Sequence, residues 1–310
     1  MVYSLVMNDM KASWWSGSAA VLAVILISGC VTAPLPPVHR GSTQDMRALT
    51  YNVHFADAAQ GPEYVESHAE DVARVVHEIG PDLACLQEVS TVDFPRLVTD
   101  NPLRKLLEKS LDQYGWVGSR GASQMAGTSP IVYRLDRYLP IRQGVDWFSD
   151  TPMVPDSTDW GNELPRHMNW ALFFDARAEQ HVFVANVHLD PWSRTANRRA
   201  IEAVQRVIHR EARLSPEEPF GSVPVILCGD FNEARMSSLR RPLDRALKPV
   251  FDVTDGPTRR GMPSLQIDGI YVSEHLRVTS SSIRRGGGAS DHHPLVADLR
   301  ILPAPESDGR

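Results

Sequence analysis

Short apolar runs bounded by turn-forming residues recur along this chain, and they constrain its fold more than any other feature. A run of this kind is typical of a buried β-strand. The predicted strands are Met46–Tyr51, Leu83–Gln87, Ile131–Tyr133, Trp170–Phe174, Val182–Val187, Val223–Cys228, Gln266–Val272 and Leu295–Ile301. Because these runs are spread over most of the chain, they predict a fold rich in sheets.

Three segments carry helical signals instead. Apolar residues fall on one face of a helix over Val65–Ile79 and again over Thr195–Ile208. Pro102 favours the first turn of a helix, so a third helix is expected over Leu103–Leu111. Strands outnumber helices after residue 115, which favours two packed sheets flanked by helices in a single domain.

The N-terminal segment has the pattern of a targeting signal. Lys11 precedes the apolar run Ala19–Ile27, which is shorter than the ~20 residues that a membrane-spanning helix needs. The tetrapeptide Ile27-Ser28-Gly29-Cys30 resembles a bacterial lipobox, so we expect cleavage before Cys30 and a lipid on its thiol. An ordinary secretory signal and an uncleaved anchor are the alternatives.

These signals predict four segments along the chain. They are a lipoprotein signal peptide over residues 1–29, a proline-rich tether over 30–45, a folded domain over 46–302 and a tail over 303–310. We therefore expect a protein anchored by lipid in the bacterial cell envelope. The absence of Asp at Val31 favours the outer membrane over the inner one by resemblance to known sorting rules.

Charge and cysteine content narrow the class of protein. The formal net charge of -6 excludes a global basic field that would draw the chain to nucleic acid or anionic lipid. With only three cysteines, the chain has no disulfide scaffold. Cys85 and Cys228 lie in apolar runs and are expected to be buried free thiols, with a disulfide between them as the open alternative.

Polar residues of a few types flank the predicted strands. They are Asn52, Glu88, His188, Asp230, Asn232, Asp268, Asp291 and His292. A single acid in such a place is usually a turn former or a helix cap, but a whole set of Asn, Asp, Glu and His is poorly explained by turns. Carboxylates suit Mg²⁺, Mn²⁺ or Ca²⁺, and histidines beside carboxylates suit proton transfer or phosphate stabilisation.

The motifs LTYNVH, LACLQEV, NVHLD, ILCGDFNE, QIDGIYV and SDHHPLVADL resemble the endonuclease/exonuclease/phosphatase superfamily. Its members include deoxyribonuclease I-like nucleases, abasic-site endonucleases, neutral sphingomyelinases and inositol-polyphosphate 5-phosphatases. The resemblance covers about residues 46 to 301. It implies an α/β fold, namely a four-layered α/β/β/α sandwich of two mixed, mostly antiparallel sheets flanked by helices, with the site at one end of the sheets.

The same resemblance implies a metal centre. Glu88 matches the principal ligand of a divalent metal, while Asn52 and Asp291 match groups that bind or approach the same ion. We expect Mg²⁺ there, with Mn²⁺ or Ca²⁺ as alternatives. An ion in that place would act as a Lewis acid toward the phosphate and the leaving oxygen.

Catalytic roles follow from the resemblance in the same way. Asp230 matches the acid that orients or deprotonates the attacking water, and Asn232 matches the amide that fixes Asp230 or the phosphate. His292 matches the catalytic histidine, and Asp268 matches its carboxylate partner. His188 matches a second histidine near the phosphate.

Substrate contacts are less specified by the sequence. Tyr133 and Arg166 fall where a group of bacterial members has residues close to the phosphate or lining the site, and an aromatic strand end is the alternative for Tyr133. That group usually has an acid where Thr128 stands here and an arginine where His54 stands. These departures concern the substrate pocket and leave the metal centre intact.

The expected function is therefore metal-dependent hydrolysis of phosphate esters by in-line attack of an activated water. A phosphodiesterase or nuclease is the first expectation, and a lipid, inositol or sugar-phosphate phosphoesterase is the second. A non-catalytic envelope scaffold is the third. The expected partners are a phosphate-ester substrate, with nucleic acid as one candidate, and a membrane through Cys30. We expect a monomer.

Overall fold

The strands of the chain form where the short apolar runs predict them, and further strands lie at the sheet edges. The computed structural model describes residues 42–93, 96–97, 100–118, 123, 125–214, 222–262, 265–285 and 290–303. Its strands are β1 (Asp45–Asn52), β2 (Ala56–Asp57), β3 (Leu83–Gln87), β4 (Thr91–Asp93), β5 (Arg96–Leu97), β6 (Tyr114–Val117), β7 (Ile131–Arg134), β8 (Tyr138–Trp147), β9 (His167–Asp175), β10 (Gln180–His188), β11 (Val225–Asp230), β12 (Lys248–Pro249), β13 (Asp268–Val272), β14 (Leu276–Ile283) and β15 (Leu295–Ile301).

The helices begin and end at residues suited to those positions. They are α1 (Pro62–Ile79), α2 (Pro102–Ser110), α3 (Arg194–Glu211) and α4 (Arg241–Ala246), with 3-10 turns at Ala58–Gln60, Met125–Thr128 and Val253–Asp255. α1 starts with proline in its first turn and ends at Gly80, a left-handed residue. The hydroxyl of Ser193 accepts a hydrogen bond from the Ala196 N–H and caps α3.

Two six-stranded sheets share one pattern of connection. The first sheet has the order β14-β15-β1-β3-β7-β6, and the second has the order β12-β13-β11-β10-β9-β8. Each sheet contains one parallel pair, β1 with β3 and β10 with β11, and the other pairs are antiparallel. The helices α1 and α3 connect the two parallel pairs, as such crossovers require. The short strands β2, β4 and β5 form a third sheet.

Three buried apolar clusters separate four layers. One cluster joins α1 and α2 to the first sheet, the second lies between the sheets, and the third joins the second sheet to α3 and α4. Along β3, Cys85 faces the other sheet whereas Ala84 and Leu86 face the helices. Both faces of a central strand are thus buried, which explains the uninterrupted apolar runs. The predicted α/β/β/α sandwich with two mixed sheets is confirmed.

The two cysteines of the described domain are free thiols. Cys85 and Cys228 are buried in the cluster between the sheets. Burial, together with the neighbouring Cys228 thiol, raises the pKa of the Cys85 thiol. The prediction of buried free thiols is confirmed, and the disulfide alternative is not observed.

The targeting features fall elsewhere in the chain. The predicted signal peptide, Cys30 and most of the tether lie outside the described residues, so the domain boundaries stay predictions. Within the described ranges, no helix has the length and apolar character needed to cross a membrane.

Candidate active site

The predicted site residues gather where the two parallel strand pairs end. Asn52 ends β1 and pairs in register with Gln87, which directly precedes Glu88. In the second sheet, His188 ends β10 and pairs in register with Asp230 at the end of β11. Because both pairs are parallel, each brings two side chains to the same edge of its sheet. The two edges meet in one site.

Asn52 joins the two sheets at this site. Its amide Nδ2 donates to Oε1 of Glu88 at 2.9 Å and to Oδ2 of Asp230 at 3.0 Å. Its Oδ1 accepts the backbone N–H of His54 at 3.0 Å, and since an N–H can only donate, this contact fixes the orientation of the amide. Asn52 therefore turns its nitrogen toward Glu88, rather than the oxygen that a metal ligand needs.

Glu88 follows β3 with a left-handed backbone conformation, at φ 58°. This uncommon conformation for a non-glycine residue is typical of functional positions. Its Oε2 accepts the N–H of Phe55 at 3.3 Å. Burial opposes ionisation, but the hydrogen bond from His54 and the charge of His188 hold the pKa of Glu88 well below its usual value. The side chain is therefore a carboxylate at neutral pH.

The ring of His54 lies between Glu88 and Asp291. Nδ1 of His54 is 3.6 Å from Oε2 of Glu88 and 3.6 Å from Oδ1 of Asp291. The hydrogen bond to Glu88, followed by the charges of the two carboxylates, raises the pKa of His54. Arg259 binds the other oxygen of Asp291 through Nη2 at 2.8 Å and Nε at 3.0 Å. The carboxylates of Glu88 and Asp291 thus face a space that favours positive charge.

His292 and Asp268 form a buried ion pair. Nδ1 of His292 is 2.9 Å from Oδ2 and 3.1 Å from Oδ1 of Asp268. Burial alone would lower the pKa of His292, but the charges of Asp268 and Asp230, with the Asp268 hydrogen bond, raise it to about 10. The ring is therefore an imidazolium at neutral pH, and its Nε2 lies 3.8 Å from Oδ2 of Asp230.

His188, in contrast to His292, is uncharged at neutral pH. Burial, followed by the neighbouring charge of Arg166, lowers the pKa of His188 to about 4. Nη1 of Arg166 lies 3.4 Å from Nδ1 of His188, and because a guanidinium can only donate, that nitrogen accepts. The proton of the neutral ring is then on Nε2, which lies 3.7 Å from Asp230 and 3.9 Å from Glu88.

Asp230 lies close to Asn52, His188 and His292. Its Oδ1 accepts the backbone N–H of Asn232 at 2.9 Å. The Asn232 amide donates to the carbonyl of Leu189 at 2.9 Å, so it connects the loops after β10 and β11. Burial and the charge of Asp268 raise the pKa of Asp230. Its carboxylate is consequently a stronger base than an exposed one.

The donor set fits a hard divalent cation. Ligand atoms of Asp230, Asp268 and His292 converge within 4.8 Å of one another, but the Asp268 hydrogen bond occupies Nδ1 of His292. Glu88 and Asp291 instead offer carboxylate oxygens around the ring of His54, whose raised pKa reflects the negative charge of both. Carboxylate oxygens are the ligands that Mg²⁺ and Ca²⁺ prefer, so these two residues are the better candidates to hold an ion.

Tyr133 lies away from the site, which corrects the prediction that it contacts substrate. It pairs with Leu83 at the start of β3, whereas Glu88 follows the end of that strand. Its ring packs in the cluster between the sheets, 4.9 Å from the ring of Phe173. Gly115 leaves room for it, since a Cβ there would collide with the tyrosine ring. Arg166, by contrast, contacts His188 within the site.

Several residues of the site were not predicted from the sequence. His54 was noted only as a departure from a family pattern, although its place two residues after Asn52 was a usable signal. Arg259 contacts Asp291 across 32 positions, a pairing that no local pattern indicates. Ser290 donates from Oγ to the carbonyl of Asn52 at 2.6 Å and accepts the N–H of His292 at 2.9 Å. This serine holds the last loop against β1.

Comparison with solved structures finds proteins with a fold similar to that of this chain. A solved structure of the mannosyl-6-phosphatase of Bacteroides thetaiotaomicron is similar with a TM-score of 0.69 and 20% identity, over 83% of this chain and 100% of that chain. D. rerio TDP2 complexed with a single-stranded DNA product is similar with a TM-score of 0.58 and 13% identity, over 83% and 99%. At these identities, both likenesses describe the fold alone.

Sequence comparison gives the family itself. An uncharacterised protein of Acanthamoeba polyphaga mimivirus is 23% identical over 198 residues, which cover 61% of this chain and 68% of that protein. Residues 49–292 match the sequence model of the Endonuclease/Exonuclease/phosphatase family, a span that contains every predicted catalytic and metal-binding residue. The chain belongs to the endonuclease/exonuclease/phosphatase family.

Proposed function

We propose that this protein hydrolyses phosphate esters, as a divalent-metal-dependent phosphodiesterase that includes nucleic acid among its substrates. The observation that carries the proposal is the position of Asp230, a buried base with a raised pKa, between His188 and His292. A buried base beside hydrogen-bond donors is what attack of water on phosphorus requires.

The phosphate would be held by donors in different charge states. The imidazolium of His292 offers Nε2–H as a charged donor, and the neutral ring of His188 offers Nε2–H as an uncharged one. Arg166 adds a guanidinium beside His188. Such preorganised donors stabilise charge that develops on the phosphate oxygens, and each is typically worth about 10²–10³ in rate.

Asp230 would orient the attacking water and accept its proton. Asn52 and Asn232 hold one oxygen each of this carboxylate, which fixes the plane of the group. A fixed base keeps the water in line with the bond that breaks. Glu88 and Asp291 would hold the divalent ion, which supplies Lewis-acid stabilisation of the phosphate and the leaving oxygen.

The substrate within this class is narrowed by charge. The net charge of -6 disfavours tight binding to a DNA duplex, because neutralisation of the backbone dominates such affinity. Similar folds occur in a mannosyl-6-phosphatase and in a protein complexed with a single-stranded DNA product. Single-stranded nucleic acid is therefore our first candidate, and sugar phosphates and lipid head groups belong in the same assay panel.

The proposal is tested with the purified protein and an activated phosphodiester. We expect hydrolysis with Mg²⁺ or Mn²⁺, inhibition by EDTA, and a loss of about 10²-fold or more in kcat for Asp230→Asn. Asp71→Asn, a change to a partly exposed acid on α1, serves as the matched control. Activity that is unaffected by EDTA or by Asp230→Asn would contradict the proposal, and complete inactivity would favour a scaffold.

We also propose that Cys30 carries a lipid that anchors the protein in the bacterial cell envelope. Support comes from the apolar run before Ile27-Ser28-Gly29-Cys30 and from the prolines that follow it. The test is metabolic labelling with a radioactive fatty acid in a bacterial host. Label should enter the wild type and should be absent from Cys30→Ser, and equal labelling of both proteins would rule the anchor out.

A further inference from the structure

A cavity of about 260 Å³ opens beside Glu88, Arg166 and His188. Glu88, Arg166 and His188 form one side of this cavity. Its other side is carbon-rich and consists of Phe55, Val92, Leu97, Met125 and Leu164, with the hydroxyl residues Ser90 and Thr128 between them. A phosphate bound by Arg166, His188 and the ion that Glu88 would hold would therefore direct one of its ester groups toward an apolar wall.

The hydroxyl groups of the cavity do not offer free donors. Oγ of Ser90 donates to the carbonyl of Glu88 at 3.4 Å, and Oγ1 of Thr128 donates to the carbonyl of Met125 at 2.8 Å. A polyhydroxylated group would lose hydrogen bonds with water and find few replacements here. An apolar group would lose none, and it would gain from leaving water.

The size of the cavity limits what it can hold. A water molecule occupies about 30 Å³ of the liquid, so the space corresponds to roughly nine waters. That is below the range of drug-sized pockets, at about 300–1,000 Å³, and it suits a single ring better than an extended chain. The side chain of Met125 lines the space, and thioethers pack well against aromatic rings.

We propose that this cavity is a specificity pocket for an apolar, ring-sized group carried by an ester substituent of the phosphate. The inference rests on the proposed function, because it takes Glu88, His188 and Arg166 as the phosphate-binding side. It goes further in naming the class of substrate: esters that carry an aromatic group, in preference to esters of polyhydroxylated sugars. In a single-stranded nucleic acid, the matching group is an unstacked base.

The test compares two non-hydrolysable probes that differ only in the ring. Phenylphosphonate and methylphosphonate are titrated calorimetrically into the protein in the presence of Mg²⁺. Burial of the ring should make the Kd of phenylphosphonate at least about tenfold lower than that of methylphosphonate. Equal Kd values in the wild type would overturn the pocket.

A matched pair of variants locates the effect. Leu164 lines the cavity with 51% of its surface exposed, and Leu139 on β8 is 59% exposed and does not line it. Leu164→Asn is nearly isosteric and uncharged, and it should lower the ratio of the two Kd values by about threefold or more. Leu139→Asn should leave the ratio at its wild-type value. An equal loss of ratio in both variants would place the preference elsewhere.

The hydrolysis assay separates this proposal from the proposed function. Hydrolysis without a preference for phenylphosphonate would overturn the pocket and leave the function standing. If the protein neither hydrolyses phosphate esters nor binds either phosphonate, both proposals fail. The wild-type comparison alone decides the point if Leu164→Asn does not fold.

Discussion

Burial and neighbouring charges together set the protonation states of the two histidines beside Asp230. Asp268 keeps His292 protonated, and Arg166 helps to keep His188 neutral. Both rings therefore direct an Nε2–H donor toward the space beside Asp230, but the ring of His292 is charged and that of His188 is neutral. A charged donor and a neutral donor respond differently to pH, so their contributions can be separated experimentally.

Replacing Asp268 by Asn should move the alkaline limb of activity to lower pH. The pKa of His292 is about 10 because of Asp268, so in the wild type the imidazolium persists until the pH approaches that value. Without the carboxylate the pKa falls, and the ring loses its proton at lower pH. We expect kcat/KM to fall by about 10²-fold at pH 8. The measurement is kcat/KM from pH 6 to 10.5, and an unshifted alkaline limb would show that His292 does not act as an acid.

Glu88→Gln should weaken metal binding without a large change of shape. The amide keeps the size of the side chain but removes the charge that faces His54 and the candidate cation position. Calorimetric titration with Mg²⁺ should give a Kd at least about tenfold higher than that of the wild type. Glu78→Gln, on the exposed face of α1, is the control. Equal affinity in Glu88→Gln and the wild type would remove Glu88 from the metal centre.

At the scale of secondary structure, close approach of strands positions an acid of the candidate site. Gly229 on β11 pairs with Val187 on β10, and a Cβ at Gly229 would collide with the Val187 carbonyl oxygen. The next residue is Asp230. The glycine thus lets the parallel pair come together directly before the Asp230 carboxylate.

Gly229→Ala should therefore destabilise the fold and displace Asp230. We expect a loss of about 2–3 kcal/mol in the free energy of unfolding, measured by urea denaturation. Gly261→Ala is the control, because Gly261 has φ 71° but open space around it, so only the conformational cost of about 1 kcal/mol applies. If both variants lose the same stability, the collision with Val187 is not the cause.

The strands that the sequence predicted best are those with both faces buried. β1, β3, β10, β11 and β15 are predominantly apolar, because one face packs on the other sheet and the opposite face packs on helices. The edge strands β8 and β14 were not predicted. In both strands most residues are exposed or half-buried, and in β8 even Leu139 and Ile141 face solvent. An edge strand is less buried than a central strand, so fewer of its residues need to be apolar.

The same physical limit applies to the site. The site residues at the ends of the central strands were predicted, because each of them lies in the sequence next to the apolar run that predicts the strand. The contact of Arg259 with Asp291 and the hydrogen bond from Ser290 to Asn52 depend on how distant loops meet. The prediction for Tyr133 was wrong for the same reason, since the sequence does not show which end of β7 faces the site.

At the scale of the whole molecule, buried neutral histidines tie stability to pH. Burial, followed by the charge of Arg166, lowers the pKa of His167 from 6.5 to about 3. The folded-state pKa is below the unfolded value, so the stabilisation is fully present above pH 6.5. It is lost as the pH falls from 6.5 through about 3, because over this range the unfolded chain binds a proton at His167 that the folded chain does not bind.

The free energy of unfolding should consequently decrease as the pH is lowered from 6.5 to 4. Replacing His167 by Gln should make this dependence less steep, because the variant has one fewer proton to bind on unfolding. Urea denaturation at a series of pH values provides the measurement. His209→Gln, at an exposed position of α3, should retain the wild-type slope. A slope that His167→Gln leaves unchanged would assign the pH dependence to other groups.

The order of strands along the chain has a consequence for biosynthesis. The second sheet is one continuous stretch, from β8 to β13, inserted between β7 and β14 of the first sheet. The first sheet is therefore completed only by the C-terminal strands, and Asp291 and His292 emerge from the ribosome after nearly all other parts of the site. A nascent or truncated chain lacks both residues. A chain that ends before residue 291 therefore contains every described strand of the second sheet but only part of the candidate site.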